Sequence, residues 1–131
     1  MKHINPFIII PFTILLFYSC SHKLVGTWNI HQYETVVPGE TGTTLTNIGT
    51  ITFHKNGNGE KNISYSVFGK LKTDNNIFSW KSDRSFLTIE SQQSELSKTW
   101  IVIVNKNKIQ KWKSTDGSSE VQIMELHKLV K

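Results

Sequence analysis

Histidine is the residue type in this chain best suited to hold a metal ion, but its spacing argues against a metal site. Four histidines lie beyond the N-terminal leader, at positions His22, His31, His54 and His127. Zinc ligands usually stand about two to five residues apart, with a second cluster elsewhere, whereas the shortest interval between these histidines is nine residues. Strands can bring distant residues together, but the spacing itself predicts no metal site, and we expect no cofactor.

The residues that could support covalent or acid-base catalysis form no recognisable set. No serine lies in a Gly-x-Ser-x-Gly nucleophile elbow. Two carboxylates for glycoside chemistry could be assembled from different strands, but any β protein of this size offers as many. The candidates for such a pair are Glu34, Glu60, Glu90, Glu95 and Glu125. We therefore predict that the protein is not an enzyme.

Cys20 is the only cysteine of the chain, and it follows an apolar N-terminal segment. Lys2 gives this segment a basic start, residues 7–18 are mostly apolar, and the small residue Ser19 precedes the cysteine. These are the three parts of a secretory signal peptide. A membrane-spanning helix needs about 20 apolar residues, and Pro11 interrupts this shorter run. The segment is therefore predicted to be an export signal.

The residues Phe17-Tyr18-Ser19-Cys20 resemble the lipobox of bacterial lipoproteins, in which the cysteine receives a diacylglyceryl group before cleavage. Phe17 departs from that motif, because leucine is usual at this position. The resemblance implies a lipoprotein signal peptide at residues 1–19 and a lipid anchor at Cys20. Several acyl chains on one protein give stable membrane anchoring, so the partner of this end of the chain would be a membrane outside the cytoplasm. An ordinary cleaved signal peptide and an uncleaved anchor are the alternatives.

Residues 20–131 have the length of a single domain, with no internal repeat, low-complexity tract or Pro/Gly-rich linker. The whole chain has a formal net charge of +5, and only one of its 15 Lys and Arg residues lies in residues 1–19. A mild basic excess does not by itself indicate nucleic-acid binding. We expect no nucleic-acid partner, and with Cys20 acylated no thiol remains to form a disulfide.

Strand signals recur about every ten residues beyond Cys20, separated by turns rich in Asn, Asp, Ser and Gly. The predicted strands are residues 24–37, 48–54, 60–68, 77–81, 86–91, 99–104, 108–113 and 120–127. Two successive Asn-Gly pairs within residues 55–59 form the strongest hairpin signal of the chain. The sequence thus predicts an all-β domain with eight strands and almost no helix.

Apolar and polar residues alternate along most of these strands, as expected when one face of a sheet is buried. Ile51 and Phe53 alternate with polar neighbours, and so do Ile63 and Tyr65. The run 100–104 is apolar on both faces, which predicts the most enclosed strand, or one whose outer face is covered by a neighbour or the membrane. Eight antiparallel strands can close into an up-and-down barrel and so remove their free edges. A flattened sandwich of two sheets is the alternative.

Several segments resemble lipocalins and the compact lipocalin-like domains of Bacteroidetes lipoproteins. Leu24, Gly26 and Trp28 form their opening Leu-x-Gly-x-Trp motif, in which the glycine bends the first strand and the tryptophan plugs the closed end of the barrel. Further similar segments are residues 51–59, 77–81, 99–104 and 108–109. The resemblance implies an eight-stranded lipocalin-like barrel in a cell-envelope lipoprotein, anchored at the outer membrane. The body is shorter than that of the larger lipocalins and lacks their late helix, so any cavity should be smaller.

Aromatic side chains are the candidates for holding a ligand. Ligand sites are mostly apolar with a few polar groups, but the same rings could simply fill a small barrel. The five inward-facing candidates are Trp28, Phe53, Tyr65, Trp80 and Trp100. Lysines surround Trp112 within residues 105–113; this could be a stacking platform for an anionic polymer, but the alternation favours lysines in solvent with Trp112 pointing inward.

These observations favour a non-catalytic, lipid-anchored binding module for a small apolar or amphipathic molecule. The alternative is a structural or protein-interaction barrel with a filled core and no ligand. In that case the loops would contact an envelope protein, especially residues 38–47 after the first strand. A void inside the barrel would distinguish the two functions.

Overall fold

The described part of the chain folds as a closed antiparallel β-barrel of eight strands with a ninth strand outside it. A computed structural model describes residues 23–115 and 120–129, and these residues contain no helix. The strands are β1 (Gly26–Val36), β2 (Thr43–Phe53), β3 (Asn58–Val67), β4 (Lys70–Asp74), β5 (Phe78–Ser82), β6 (Phe86–Glu90), β7 (Lys98–Asn105), β8 (Ile109–Ser114) and β9 (Val121–Lys128). The predicted all-β barrel is confirmed, and its architecture is consistent with a lipocalin-like barrel.

The barrel closes between its first and last strands and divides at β3. β1 pairs with β2 on one side and with β9 on the other. At one end of β3, Gly59 pairs with Phe78 of β5; towards its other end, Ile63 pairs with Asp74 of β4. β4 therefore lies outside the ring. From Glu60 to the end of β3 at Val67, no backbone ladder joins β3 to β5. Loops and side chains must therefore close the barrel along this part of β3.

The eight predicted strands are all present, and the Asn-Gly hairpin joins β2 to β3. The amide of His54 donates a hydrogen bond to the carbonyl of Asn58 over 2.9 Å, and Gly57 supplies the positive φ, 93°, that the turn requires. The sequence interpretation missed β4. Leu71 in this strand is exposed between two lysines, so β4 has no buried face and produces no alternating pattern.

β2 begins at Thr43, five residues earlier than expected, so part of the predicted loop 38–47 is strand. The ladder between β1 and β2 is irregular here, and Asn47 and Gly49 have positive φ values of 52° and 142°. A Cβ atom on Gly49 would lie 2.1 Å from the carbonyl oxygen of Asn62. Glycine thus allows the β2 backbone to approach β3 closely enough to pair at this position.

Each of the eight ring strands contributes large apolar side chains to one core. These side chains are Trp28, Ile30, Tyr33, Ile48, Ile51, Phe53, Ile63, Phe78, Trp80, Leu87, Ile89, Trp100, Trp112, Met124 and Leu126, with Leu24 and Leu96 from adjoining segments. Aromatic rings meet edge to face at its centre, where Phe53 contacts Phe78, Trp80 and Trp112 at centroid distances of 5.3, 5.2 and 5.9 Å. Burial of such rings is the main stabilising contribution to a barrel of this kind.

The predicted enclosure of β7 by the rest of the described residues was wrong. Only Trp100 in the run 100–104 is fully buried, and Ile101 and Ile103 are 38% and 50% exposed. Their outward direction follows from the alternation of side chains along a strand. Hydrophobicity alone therefore does not report which face of β7 is covered. A cover by the membrane stays a prediction.

The residues that the structure describes include no helix of the length and hydropathy needed to cross a bilayer. The predicted signal peptide and Cys20 lie outside the described residues.

Candidate functional site

A cavity of about 300 Å³ opens at the end of the barrel where the sheet divides. It lies between the hairpin formed by β3 and β4 and the loop of residues 91–97, which joins β6 to β7. Its lining is Tyr33, Ile48, Ile63, Tyr65, Lys72, Thr73, Asp74, Gln93, Glu95, Leu96 and Met124. A larger depression of about 720 Å³ lies over β5 and β6, but it is more open to solvent than the cavity.

The floor of the cavity is apolar. Ile48, Ile63, Leu96 and Met124 are buried and belong to the barrel core. They come from β2, β3, β9 and the 91–97 loop, which shows that the cavity is a continuation of the core interior and not a surface groove. An apolar group entering here would exchange water for packed side chains.

The rim of the cavity is polar and contains both signs of charge. Glu95 accepts a hydrogen bond of 3.4 Å from the hydroxyl of Tyr33, and its other oxygen lies 3.2 Å from Nζ of Lys72. About half of each charged side chain of the Lys72–Glu95 pair is exposed. Tyr65 completes this side of the cavity, with its ring edge-on to that of Tyr33 at 5.9 Å. The arrangement suits a molecule with an apolar body and a polar end.

Burial governs the ionisation of both tyrosines at the cavity. Loss of hydration raises the pKa of Tyr33 far above its ordinary value, and the nearby carboxylate of Glu95 raises it further. For Tyr65 the same two causes, with Asp74 in addition, raise the pKa to about 12. Both phenols are therefore neutral hydrogen-bond donors at physiological pH, and Glu95 supplies the negative charge at the rim.

Lys61 fastens the 91–97 loop and β4 to the wall of the barrel. It points inward from β3 and its side chain is fully buried, with Nζ 3.0 Å from Oδ2 of Asp74. The same ammonium group donates to the hydroxyls of Ser91 at 2.8 Å and Ser94 at 2.9 Å. Ser94 in turn donates to Asp74 over 2.6 Å. This set of four residues, the Lys61 cluster, closes the gap that the missing ladder between β3 and β5 leaves.

The pKa of Lys61 reflects a balance between burial and its partners. Desolvation lowers it, whereas the hydrogen bond and charge of Asp74 act in the opposite direction. The effect of burial is the larger one, so the pKa of Lys61 is lower than that of a lysine in water. The ammonium ion is retained in the wall because Asp74 and two hydroxyls use all three of its donors.

Of the five aromatic residues proposed from sequence to hold a ligand, only Tyr65 lines the cavity. The other four, Trp28, Phe53, Trp80 and Trp100, lie in the packed core away from the cavity lining. The indole N–H groups there are occupied: Trp28 donates to the carbonyl of Leu24, Trp80 to those of His54 and Asn58, and Trp100 to that of Leu96. These contacts are those of structural residues that fix the core.

The sequence interpretation missed Tyr33, Lys61 and the charged rim. The inward direction of Lys61 could have been found, because the alternation that places Ile63 and Tyr65 inward places residue 61 there too. Lys72 could not, since it belongs to β4, which has no buried face. Glu95 lies in a loop, and sequence patterns give no position for loop residues relative to a cavity.

The basic segment around Trp112 has the structure that the alternation predicted. Trp112 is fully buried in the core, where its indole donates to Oε1 of the buried Gln110 over 3.1 Å. Lys113 is exposed on the outer face, and Lys111 is half-buried. The ring is thus unavailable for stacking on an external polymer.

Comparisons of this chain with protein-family models, curated proteins and solved structures return no match.

Proposed function

We propose that the protein is a lipid-anchored module of the cell envelope that binds a small apolar or amphipathic molecule and does not convert it chemically. The observation that carries the proposal is the cavity at the divided end of the barrel, with its apolar floor and polar rim. Ligand pockets usually measure about 300–1,000 Å³. A volume of about 300 Å³ is at the lower limit, so the ligand is a small one.

The lining supports one orientation of the ligand in this proposal. Its apolar part contacts Ile63 and Met124 on the floor, and its polar end lies near Lys72 and Glu95 at the rim. An exposed ion pair of this kind contributes about 0–1 kcal/mol. A charged ligand group can therefore replace one member of the Lys72–Glu95 pair at little cost, and the hydroxyls of the two tyrosines offer hydrogen bonds to a neutral one.

Binding of an environment-sensitive fluorescent probe tests the proposal. Anilinonaphthalene sulfonate, which joins an apolar ring system to an anionic group, is titrated into the purified protein and into the variant Ile63→Phe. The larger ring fills the floor of the cavity, so we expect saturable binding with one site in the parent protein and at least tenfold weaker binding in the variant.

The matched control is Ile101→Phe, which makes the same change on the exposed outer face of β7. Its probe affinity should equal that of the parent protein. Circular dichroism checks that both variants keep the β structure. A parent protein that binds no probe, or an Ile63→Phe variant that binds as tightly as the parent, contradicts the proposal.

A protein-interaction barrel is the second candidate, and exposed apolar side chains within residues 68–77 favour it. Phe68 at the turn between β3 and β4 is 95% exposed, Leu71 in β4 is 69% exposed, and Ile77 before β5 is 79% exposed. Exposed apolar side chains that form a patch can mark interaction surfaces. If this function is the correct one, Phe68→Ser with Leu71→Ser abolishes co-purification of a specific envelope protein, and the parent protein shows no saturable probe binding.

A further inference from the structure

Two histidines and a glutamate meet on the outer face of the barrel. One histidine lies far from the other two residues in the sequence, and those two are separated by one residue in a single strand. These residues are His31 in β1 and Glu125 and His127 in β9, and all three are half-buried. The rings of His31 and His127 stack with their centroids 4.2 Å apart and their planes 14° from parallel. Oε2 of Glu125 lies 2.8 Å from Nε2 of His127. One candidate ligand atom from each residue lies within 4.8 Å of the others.

The backbone explains why the three side chains share one face. Met124 and Leu126 of β9 are buried in the core, so the alternation of the strand turns Glu125 and His127 outward. In β1 the ladder to β9 shifts between Ile30 and Gln32: Ile30 pairs with Leu126 and Gln32 with Glu125. His31 is therefore the extra residue of a β-bulge, a device that redirects a side chain. The bulge brings its ring against that of His127.

We propose that His31, Glu125 and His127 form a binding site for a divalent transition-metal ion such as Zn²⁺. Imidazole nitrogen and carboxylate oxygen are the ligands that Zn²⁺ takes, at about 2.0–2.2 Å. The three ligand atoms already lie within 4.8 Å of one another, and rotation of the two stacked rings about their side-chain bonds would turn their nitrogens towards one ion. A hard ion such as Mg²⁺ prefers oxygen ligands throughout and should not compete.

The site is linked to the closure of the barrel and not to the cavity. Its ligands come from the first and last strands of the ring, β1 and β9, so a bound ion would join them by a second connection besides the backbone ladder. Across the ladder to β8 the neighbours are Lys111, opposite Glu125, and Ile109, opposite His127. Across the ladder to β1 they are Gln32, opposite Glu125, and Asn29, opposite His127. Because Lys111 lies opposite Glu125, its ammonium group could compete with a metal ion for the Glu125 carboxylate. Three protein ligands leave one tetrahedral position for water.

Metal titration of the untagged full-length protein, stripped of ions with a chelator, tests this site. Isothermal titration calorimetry with ZnCl₂ should show one ion bound per chain at micromolar concentrations, and MgCl₂ should show none. The variants His31→Gln, His127→Gln and Glu125→Gln each remove one ligand, so each should weaken Zn²⁺ binding at least tenfold. Zn²⁺ should raise the melting temperature of the parent protein and not that of the His127→Gln variant, because only the folded protein holds the ligands together.

The control uses another histidine. His54 also contacts a carboxylate, with Nε2 2.9 Å from Oε2 of Glu60, but it belongs to no three-ligand group among the described residues; His54→Gln should bind Zn²⁺ as the parent does. Melting without metal shows whether each variant folds. Unchanged affinity in both folded histidine variants, loss of binding in a control variant, or no saturable uptake by the parent overturns the proposal. If one ligand variant fails to fold, the other two decide.

Discussion

Nζ of Lys61 lies 3.0 Å from Oδ2 of Asp74 inside the barrel wall, and this contact joins the outside strand β4 to the ring strand β3. The lysine side chain is fully buried, and the aspartate side chain is 15% exposed. The pair occurs where the backbone ladder between β3 and β5 ends. Side-chain chemistry therefore completes the barrel at the point where strand pairing does not.

Replacing Asp74 by Ala should destabilise the protein more than replacing Lys61 by Met. The first change leaves a buried ammonium group without its counter-charge, and breaking a buried pair in this way costs about 3–5 kcal/mol. The second leaves an aspartate that is partly exposed and still accepts a hydrogen bond from Ser94. Urea denaturation of both single variants and of the double variant gives the coupling energy.

The Lys72–Glu95 pair provides the control, since it also involves β4, which it joins to the 91–97 loop, but it is about half exposed. Lys72→Met should change the free energy of unfolding by about 0–1 kcal/mol. Equal losses for Asp74→Ala and Lys72→Met would show that burial of the Lys61 pair has no energetic consequence.

Titration of Tyr33 and Tyr65 should show the effect of their burial at the cavity on their pKa values. Tyr65 should ionise near pH 12 and Tyr33 at still higher pH, both above the ordinary value of about 10. Since the folded-state pKa values exceed the unfolded ones, the stability linked to these groups is complete below about pH 10 and is lost as pH rises through the folded values. Tyrosinate absorbance of the Tyr33→Phe and Tyr65→Phe variants, each subtracted from that of the parent, assigns the two transitions.

Glu95→Gln should lower the pKa of both tyrosines, because the carboxylate of Glu95 raises each of them. Glu34→Gln is the control: Glu34 is adjacent to Tyr33 in β1 but does not contribute to either shift. Identical tyrosine titrations in Glu95→Gln and the parent would mean that the carboxylate does not lie at the cavity rim.

Gly49→Ala should be much more destabilising than Gly69→Ala. Both glycines have positive φ, 142° and 79°, so alanine is strained at each by about 1–3 kcal/mol. Only at Gly49 would the added Cβ meet backbone, 2.1 Å from the carbonyl oxygen of Asn62, whereas nothing lies within 4 Å of a Cβ at Gly69. Thermal unfolding of the two variants compares them; similar melting temperatures would exclude the close approach of β2 to β3.

The fold was predictable where side chains alternate against a core. Ile51 and Phe53 in β2, and Ile63 in β3, point inward as their period-two pattern indicated. β4 and the start of β2 were not predictable, because an exposed strand carries no such pattern and its position depends on backbone pairing with a neighbour. Ile101 and Ile103 show where hydrophobicity misleads a burial prediction, because both are apolar strand residues with exposed side chains.

The candidate sites depend on contacts that sequence spacing cannot show. The rings of His31 and His127 meet because a bulge lies where the first strand pairs with the last, and nothing local to either histidine signals it. The cavity exists because the sheet divides at β3, and that division follows from the unpredicted strand β4. Tyr65 was identified because it belongs to a regular strand with a buried face.

Replacing Cys20 by Ala should release the protein from the membrane fraction. Under the proposed function residues 1–19 are removed and the acyl chains on Cys20 hold the protein at the membrane, so the loss of these chains should weaken its attachment. Incorporation of radioactive palmitate into the parent and into Cys20→Ala, with fractionation of the cells, measures both effects. Ser19→Ala keeps a small residue before the cysteine and should remain labelled. Labelling retained in Cys20→Ala would exclude this residue as the acceptor, and the cavity-binding part of the proposal would then apply to a protein held in the envelope by other means.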